Sequence, residues 1–410
     1  MKLRLSFLMV VLALVIVAIP AFAINEWDIL IYMSSDSKEA NLEEANIEKM
    51  KSISEVGVPA GVELLVLEDR GPNATGMMKD FYPDPEYRGG DIYSITKNSV
   101  KSEAKLGEVN MGSPYTLWNF LKHAVEKHPA KRYFLIFDSH GSGVFSWRGT
   151  GSTSSSKPGS VDFDPSKFVA YDDTDNDCLT VFEIESVLNA FKDRLNSGRK
   201  IDLVGVDACL PVGAEALFQF RNVIDVFIGS ADTTPLGGFE YPGFLDKLGK
   251  QPQLENEKVA CMAIDSLGNR SLGAWRLSKA QELTFAINNL AMELIRAVQE
   301  KNQKFTPKDL TSYGGKDYYW DLIKIGQTFK DGNVKWGGFF SKAPSNLAVI
   351  QQMGGELLDA IKACKVSSNG SISIAWPKVD DYKNFRAFYK AFELAKQTKW
   401  DEFLDLILLQ

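Results

Sequence analysis

The chain has 410 residues, 45% of them hydrophobic and 24% charged, with 46 basic against 53 acidic side chains and a formal charge of −7. That is enough length for more than one average domain and enough apolar content for a large core, while the acidic balance argues against a nucleic-acid partner. Four cysteines, Cys178, Cys209, Cys261 and Cys364, show neither metal-ligand spacing nor a dense disulfide framework, although one pair is left open to bridge.

Met1-Lys2-Leu3-Arg4 carries positive charge into an apolar run that ends near Ile19, and Pro20 with Ala21-Phe22-Ala23 follows. This pattern predicts a secretory signal over residues 1–23 and a mature chain starting near Ile24. The competing reading is a retained anchor, but the run is shorter than the ~20 residues that cross a bilayer comfortably. Subtracting Lys2 and Arg4 leaves 44 basic against 53 acidic residues, a mature charge of −9. The expectation is a secreted or periplasmic protein with no membrane contact after signal removal.

Asp28-Ile29-Leu30-Ile31-Tyr32-Met33 reads as the first strand, with a helix starting near Asn41. Val62-Glu63-Leu64-Leu65-Val66-Leu67 and Asp91-Ile92-Tyr93-Ser94-Ile95 read as further strands. A helix over 116–127 buries Leu117, Phe120, Leu121, Ala124 and Val125 on one stripe. Next comes Tyr133-Phe134-Leu135-Ile136-Phe137, leading into Asp138-Ser139-His140-Gly141-Ser142-Gly143. Residues 149–160 are a Ser- and Gly-rich run, expected to be exposed and easily nicked. Thr180-Val181-Phe182-Glu183 is a capping box that opens a helix through Phe191. Ile201-Asp202-Leu203-Val204-Gly205-Val206 then leads to Asp207-Ala208-Cys209, with a helix predicted over 211–220 and a strand at Val226-Phe227-Ile228-Gly229. From about residue 251 long helices dominate, over 279–300 and 347–364, with one late strand at Ile372-Ser373-Ile374-Ala375-Trp376. Strands alternating with helices define an α/β fold with a mostly parallel sheet. The expected organisation is a signal over 1–23, a catalytic domain over 24–250, and a helical region over 251–410 packed on it and lending it a strand.

The two reactive side chains each follow an apolar strand, and in an open parallel sheet that exit edge is where catalytic groups collect. Taken singly, Cys209 reads as a small buried hydrophobe and His140 as a turn residue. Taken together they propose a cysteine-histidine hydrolase. The other two histidines, His123 and His128, lie on or at the end of a helix, which leaves His140 as the base. Pro211 is suited to a helix start, so Cys209 is expected at a helix N-terminus, where the dipole favours thiolate. The amides of Gly141 and Cys209 are the candidate oxyanion donors.

His140-Gly141-Ser142-Gly143 and Asp207-Ala208-Cys209-Leu210 resemble the histidine and cysteine motifs of the clostripain-like cysteine peptidases, relatives of the caspases, gingipains and legumain. The likeness extends to Ile29 through Asp36, to Tyr171-Asp172-Asp173 through Glu183, to Ser371 through Pro377, and to Thr398 through Leu404. It implies a caspase-like α/β/α sandwich, a Cys209–His140 dyad without an obligatory third member, and protein or peptide substrates cut after Arg or Lys. The basic preference is implied for Asp207, two residues before the cysteine, with Asp232 as a second acid near the pocket. Self-cleavage between the two catalytic residues is implied as well, with Arg148 and Lys167 as the candidate sites, since Lys157 precedes Pro158. Two positions depart from the pattern: Ser139 stands where an acid is common before the histidine, and Pro211 replaces a methionine.

Calcium is the cofactor the resemblance suggests, although the chemistry itself requires none. Asp172, Asp173, Asp175 and Asp177 offer oxygen ligands over the length of an EF-hand loop, but Asp177 stands where that loop needs glycine. A solvated acidic turn before a helix accounts for the same residues. Two other functions remain open at this point: an inactive peptide-binding or adhesion protein on the same scaffold, and a transpeptidase or amidase using the same dyad.

Overall fold

The computed structural model describes residues 24–36, 40–71, 81–144, 167–235, 237–265, 272–301, 310–314, 318–334, 336 and 343–409. The expected signal, Arg148 and the run at 149–160 lie outside them. In chain order the elements are β1 (Asn25–Ser34), α1 (Ala40–Val56), β2 (Val62–Arg70), β3 (Gly89–Thr96), β4 (Ser99–Gly107), α2 (Pro114–Lys127) and β5 (Ala130–Asp138). The hairpin β6 (Lys167–Asp172) and β7 (Asp177–Thr180) precedes α3 (Val181–Arg194), β8 (Ile201–Asp207), α4 (Ala214–Phe220), β9 (Ile224–Ser230), α5 (Tyr241–Lys250), α6 (Asn256–Asp265) and β10 (Leu272–Arg276). The rest comprises α7 (Ala280–Lys301), β11 (Ser312–Tyr313), β12 (Tyr319–Asp321), α8 (Leu322–Lys330), α9 (Leu347–Cys364), β13 (Ser373–Ala375), α10 (Val379–Tyr389), α11 (Glu393–Gln397) and α12 (Trp400–Leu409).

Eight strands form one sheet in the order β10-β9-β8-β5-β1-β2-β3-β4. The central five are parallel, with β10 added antiparallel at one edge and β3 and β4 at the other. Side chains alternate between sheet faces, and β1 shows the result. Trp27, Ile29, Ile31 and Met33 join α1, α5 and α6 on one face, whereas Leu30 and Tyr32 join α2, α3, α4 and α7 on the other. Both faces are therefore covered, which is why the central strands read as continuous apolar runs. The α/β expectation holds as a three-layer α/β/α sandwich. The second apolar cluster runs from Leu30 to Ile407, so residues beyond 251 share a core with the earlier ones.

Three features differ from the sequence reading. β4 is a polar, largely exposed edge strand, Ser-Val-Lys-Ser-Glu-Ala-Lys-Leu-Gly, and its charges hide it from an apolar search while discouraging edge pairing. β10 supplies the late strand of the main sheet, whereas the strand anticipated at 372–376 forms as β13 and belongs to a small sheet with β11 and β12. α4 starts at Ala214 after Gly213, not at Pro211, which stays in the connecting turn. All four cysteines are free.

Candidate active site

β5 and β8 are parallel neighbours whose register pairs Asp138 with Asp207. Two residues further along each chain come His140 and Cys209, so strands about 4.8 Å apart carry imidazole and thiol to matching positions past one sheet edge. Both line the same narrow cleft of about 40 Å³, together with Leu42, Lys49, Ala208 and Thr234. The exit turns touch: a Cβ built on Gly141 would lie 2.5 Å from the Cys209 carbonyl oxygen and 3.1 Å from its amide nitrogen. Only glycine permits that approach. The remaining histidines, His123 and His128, both contact Glu103, with Nε2 to Oε2 distances of 3.5 and 2.7 Å.

The expected helix dipole does not reach Cys209, because α4 begins five residues later. A different donor serves the sulfur: the Thr234 amide points at Sγ from 3.4 Å. Leu210, the next residue, has φ of 64° and is held there by its N–H bond of 3.1 Å to the Asp232 carbonyl. A left-handed non-glycine residue costs on the order of 1–3 kcal/mol and persists where surrounding contacts enforce it.

The histidine turn is fastened by β6 and by the C-terminal region. The Tyr171 amide donates to Ser139 Oγ at 3.1 Å, Gly141 bridges Val169, and Ser142 N–H bonds the Phe168 carbonyl at 3.3 Å. From β12, Tyr319 Oη donates to the Ser142 carbonyl at 2.9 Å. Ser139, which departs from the family pattern, is therefore an anchor for the hairpin.

Lys49 is the participant that sequence reasoning missed. Its Nζ lies 2.8 and 2.7 Å from the two Asp138 carboxylate oxygens and 3.2 Å from Asp207 Oδ2, with all three side chains buried. Helical spacing contained the signal, since Lys49 falls on the buried stripe of α1 with Leu42, Asn46, Met50 and Ile53. Burial alone would weaken the lysine's hold on its proton, but the charges of Asp138 and Asp207 outweigh it and keep the pKa above the ordinary value. Burial pushes the Asp138 carboxyl up to about 6, with Lys49 opposing and Asp207 adding to the rise.

The candidate specificity acids are therefore engaged. Asp207 Oδ2 also accepts the Phe239 amide at 2.8 Å, so the group faces an internal ammonium and a backbone donor. Asp232 lies on the loop that carries Thr234, and its Oδ1 accepts from the amides of Thr233 and Gly314 at 2.8 and 3.2 Å. Lys167 opens β6 and is paired with Thr180, so the bond after it sits within a strand.

The acidic segment forms the β6–β7 turn, not an EF-hand loop. Glu183, the would-be last ligand, is occupied by its capping box, its Oε2 accepting from Thr180 N–H at 2.9 Å. Asp177 accepts from Cys178 N–H and from the Asn110 amide, both at 2.8 Å, while Asp175 is exposed. Of the four, Asp172 alone joins a close carboxylate group, with Asp36, Asp69 and Glu108. Burial and then these neighbours push Asp69 up to about 9, and Asp172 is raised chiefly by burial.

A thiol and an imidazole carried past adjacent parallel strands of an α/β/α sandwich make up the caspase-like type of cysteine peptidase. Residues 31–406 match the clostripain family, peptidase C11, and the chain belongs to that family. Clostripain from Hathewaya histolytica is 23% identical over 322 residues, which cover 66% of this chain and 56% of the relative, so the match spans little more than half of that protein. A secreted C11 cysteine protease from Bacteroides thetaiotaomicron, solved with an irreversible peptide inhibitor, superposes with a TM-score of 0.61 at 16% identity, covering 92% of this chain and 100% of that one. An inactive zymogen C11 protease from Parabacteroides distasonis gives 0.59 at 14% identity, covering 92% and 98%. At these identities the likeness is one of fold. No helix among the described residues is long and apolar enough to cross a membrane.

Proposed function

We propose that this chain is a secreted cysteine endopeptidase in which Cys209 attacks the scissile carbonyl and His140 moves the proton, with cleavage after Arg or Lys. The observation that carries the reading is the β5–β8 register, which sends both residues into one cleft. His140 takes the thiol proton as sulfur adds to the carbonyl carbon, then returns it to the departing amine. Backbone amides at Gly141 and Cys209 are the proposed oxyanion donors.

Support for a basic P1 residue comes from net charge. Among the described residues lining the cleft, Asp138 and Asp207 face one cation, Lys49, and Asp232 adds a third acid on the loop that carries Thr234. A substrate ammonium or guanidinium would join that network instead of filling a vacant pocket. At about 40 Å³ the cleft takes a water or two, so the Thr234-bearing loop must shift to admit it. Processing is proposed after Arg148, because the bond after Lys167 lies inside a paired strand.

Fluorogenic peptides that differ only at P1 test the specificity. One charge-assisted contact is worth about 1.5–3 kcal/mol, so kcat/KM for Arg or Lys should exceed that for Leu by roughly 10–100-fold, with Asp uncut. Equal rates across the series would remove the acidic-pocket assignment.

A further inference from the structure

Away from the cleft, β4, α2 and the turn into β5 bring two imidazoles and a carboxylate together. Glu103 Oε2 is 3.5 Å from His123 Nε2 and 2.7 Å from His128 Nε2, and one donor atom from each of the three lies within 4.8 Å of the others. Five residues apart on an unbroken helix, the two rings would point about 140° apart. His128 instead caps α2 with φ of −130° and ψ of 60°, which leaves helical geometry, and its ring centroid lies 6.2 Å from that of His123. All three side chains are partly exposed, so an ion can reach them from solvent.

The surroundings are rich in carboxylate. His128 Nδ1 faces Glu63 Oε1 at 3.6 Å. Glu63 is paired with Asp28 in the β1–β2 register, so both project from the same face of the sheet. Asp28 is wholly buried, and neither of its carboxylate oxygens has a hydrogen-bond partner. Burial pushes its carboxyl well above the ordinary range, and the charges of Glu63 and Glu103 add to the rise. Among the described residues, no Lys or Arg pairs with Asp28, Glu63 or Glu103. A buried, unpartnered carboxylate beside two others is costly unless positive charge is brought near.

We infer that His123, His128 and Glu103 bind one divalent transition-metal ion of the zinc class, with Glu63 orienting His128 from its far side. Zinc bonds of about 2.0–2.1 Å in a tetrahedron place the donor atoms about 3.3–3.4 Å apart. The observed separations of 3.5 and 2.7 Å lie on either side of that value. Two imidazoles and one carboxylate leave a fourth position for water. A ring nitrogen aimed at a carboxylate is the usual support of a ligating histidine, because it fixes the tautomer and the ring. The nitrogen donors exclude a hard oxygen-only ion. His128 also stands at a helix C-terminus, where the dipole favours positive charge.

The ion acts as a clamp. β4 is an edge strand that pairs with β3 alone, and the site ties it to the last turn of α2. His128 precedes the first residue of β5, and His140 follows its last; the nine residues between span about 30 Å at 3.3 Å each. Binding is therefore read without the peptidase chemistry.

The test uses the full-length chain carrying Cys209→Ala, which removes the cleft thiol as a competing ligand. The protein is stripped with a chelator and given zinc chloride alone, with calorimetry, thermal unfolding and amide hydrogen exchange as readouts. One saturable ion per chain, a rise in Tm and slower exchange in β4 are expected. His123→Gln and Glu103→Gln should each weaken binding at least tenfold while the ion-free Tm stays near that of the parent, because both side chains are partly exposed. Glu108→Gln, further along the chain from β4, should bind as the parent does. The cobalt(II) form should show no thiolate charge-transfer absorption, which separates this site from one built on Cys178, Cys261 or Cys364. No saturable binding in the parent would overturn the inference. Unchanged binding in both His123→Gln and Glu103→Gln would do the same, as would a thiolate band in the cobalt form.

Discussion

Cys209→Ala should lower peptide hydrolysis by at least about 10⁴-fold while leaving the melting temperature nearly unchanged. Groups that act as one catalytic unit lose activity non-additively, so His140→Ala should cost about as much and the double variant little more. The structural ground is the shared cleft and the abutting turns, where the Gly141 site leaves no room for a Cβ against Cys209. The same variant reports on processing. Wild-type protein should be found cut after Arg148, and Cys209→Ala should run as one intact chain on a denaturing gel. A double variant whose loss equals the product of the two single losses would mean that thiol and imidazole act separately.

Lys49→Met should destabilise the fold by about 3–5 kcal/mol, the usual consequence of removing one partner from a buried ion pair. Two carboxylates, Asp138 and Asp207, would then face each other across paired strands with no ammonium between them. The loss should depend on pH with a definite sign. Asp138 in the folded protein is raised to about 6, mainly by burial, against about 3.9 in an unfolded chain. Between those values the folded state holds a proton that the unfolded state has released, so this group's contribution to stability falls as pH rises from about 4 to about 6 and is level above. Without Lys49 the folded value climbs further, and the decline continues past pH 6. Denaturant melts should therefore show a larger deficit for Lys49→Met at pH 8 than at pH 5. Adding Asp138→Asn should recover part of it. An equal deficit at both pH values would mean that the lysine's contribution is packing alone.

Lys49 also shows where the sequence was legible and where it was not. The apolar strands β1, β5 and β8 announce themselves because they are buried on both faces, and the two cassettes that follow β5 and β8 carry Asp at one position and the reactive residue two places on. The register that aligns them is a property of the folded sheet, yet it could be inferred from that repeated spacing. The capping box at Thr180 and Glu183 is local, and it forms as read. Long-range pairings were not legible. Lys49 lies on the buried stripe of its helix, but nothing local names Asp138 and Asp207 as its partners. Asp69 lies in β2 and Glu108 follows β4, far from each other and from β6 in the chain, so the acidic turn at 172–177 gave no sign of the wider carboxylate group that Asp172 joins. Pro211 misled because a favourable first helical residue was outweighed by the Val212–Ser373 and Val212–Ser230 backbone pairings, which keep that segment extended until Gly213.

The central claim, that Cys209 is a nucleophile beside a pocket for basic side chains, is tested most directly by mass spectrometry of the processed protein after treatment with an arginyl chloromethyl ketone. One adduct is expected, located by peptide mapping at Cys209 and absent from Cys209→Ala, with Cys178, Cys261 and Cys364 unmodified. Labelling at another cysteine, or no label on the processed protein, would contradict it.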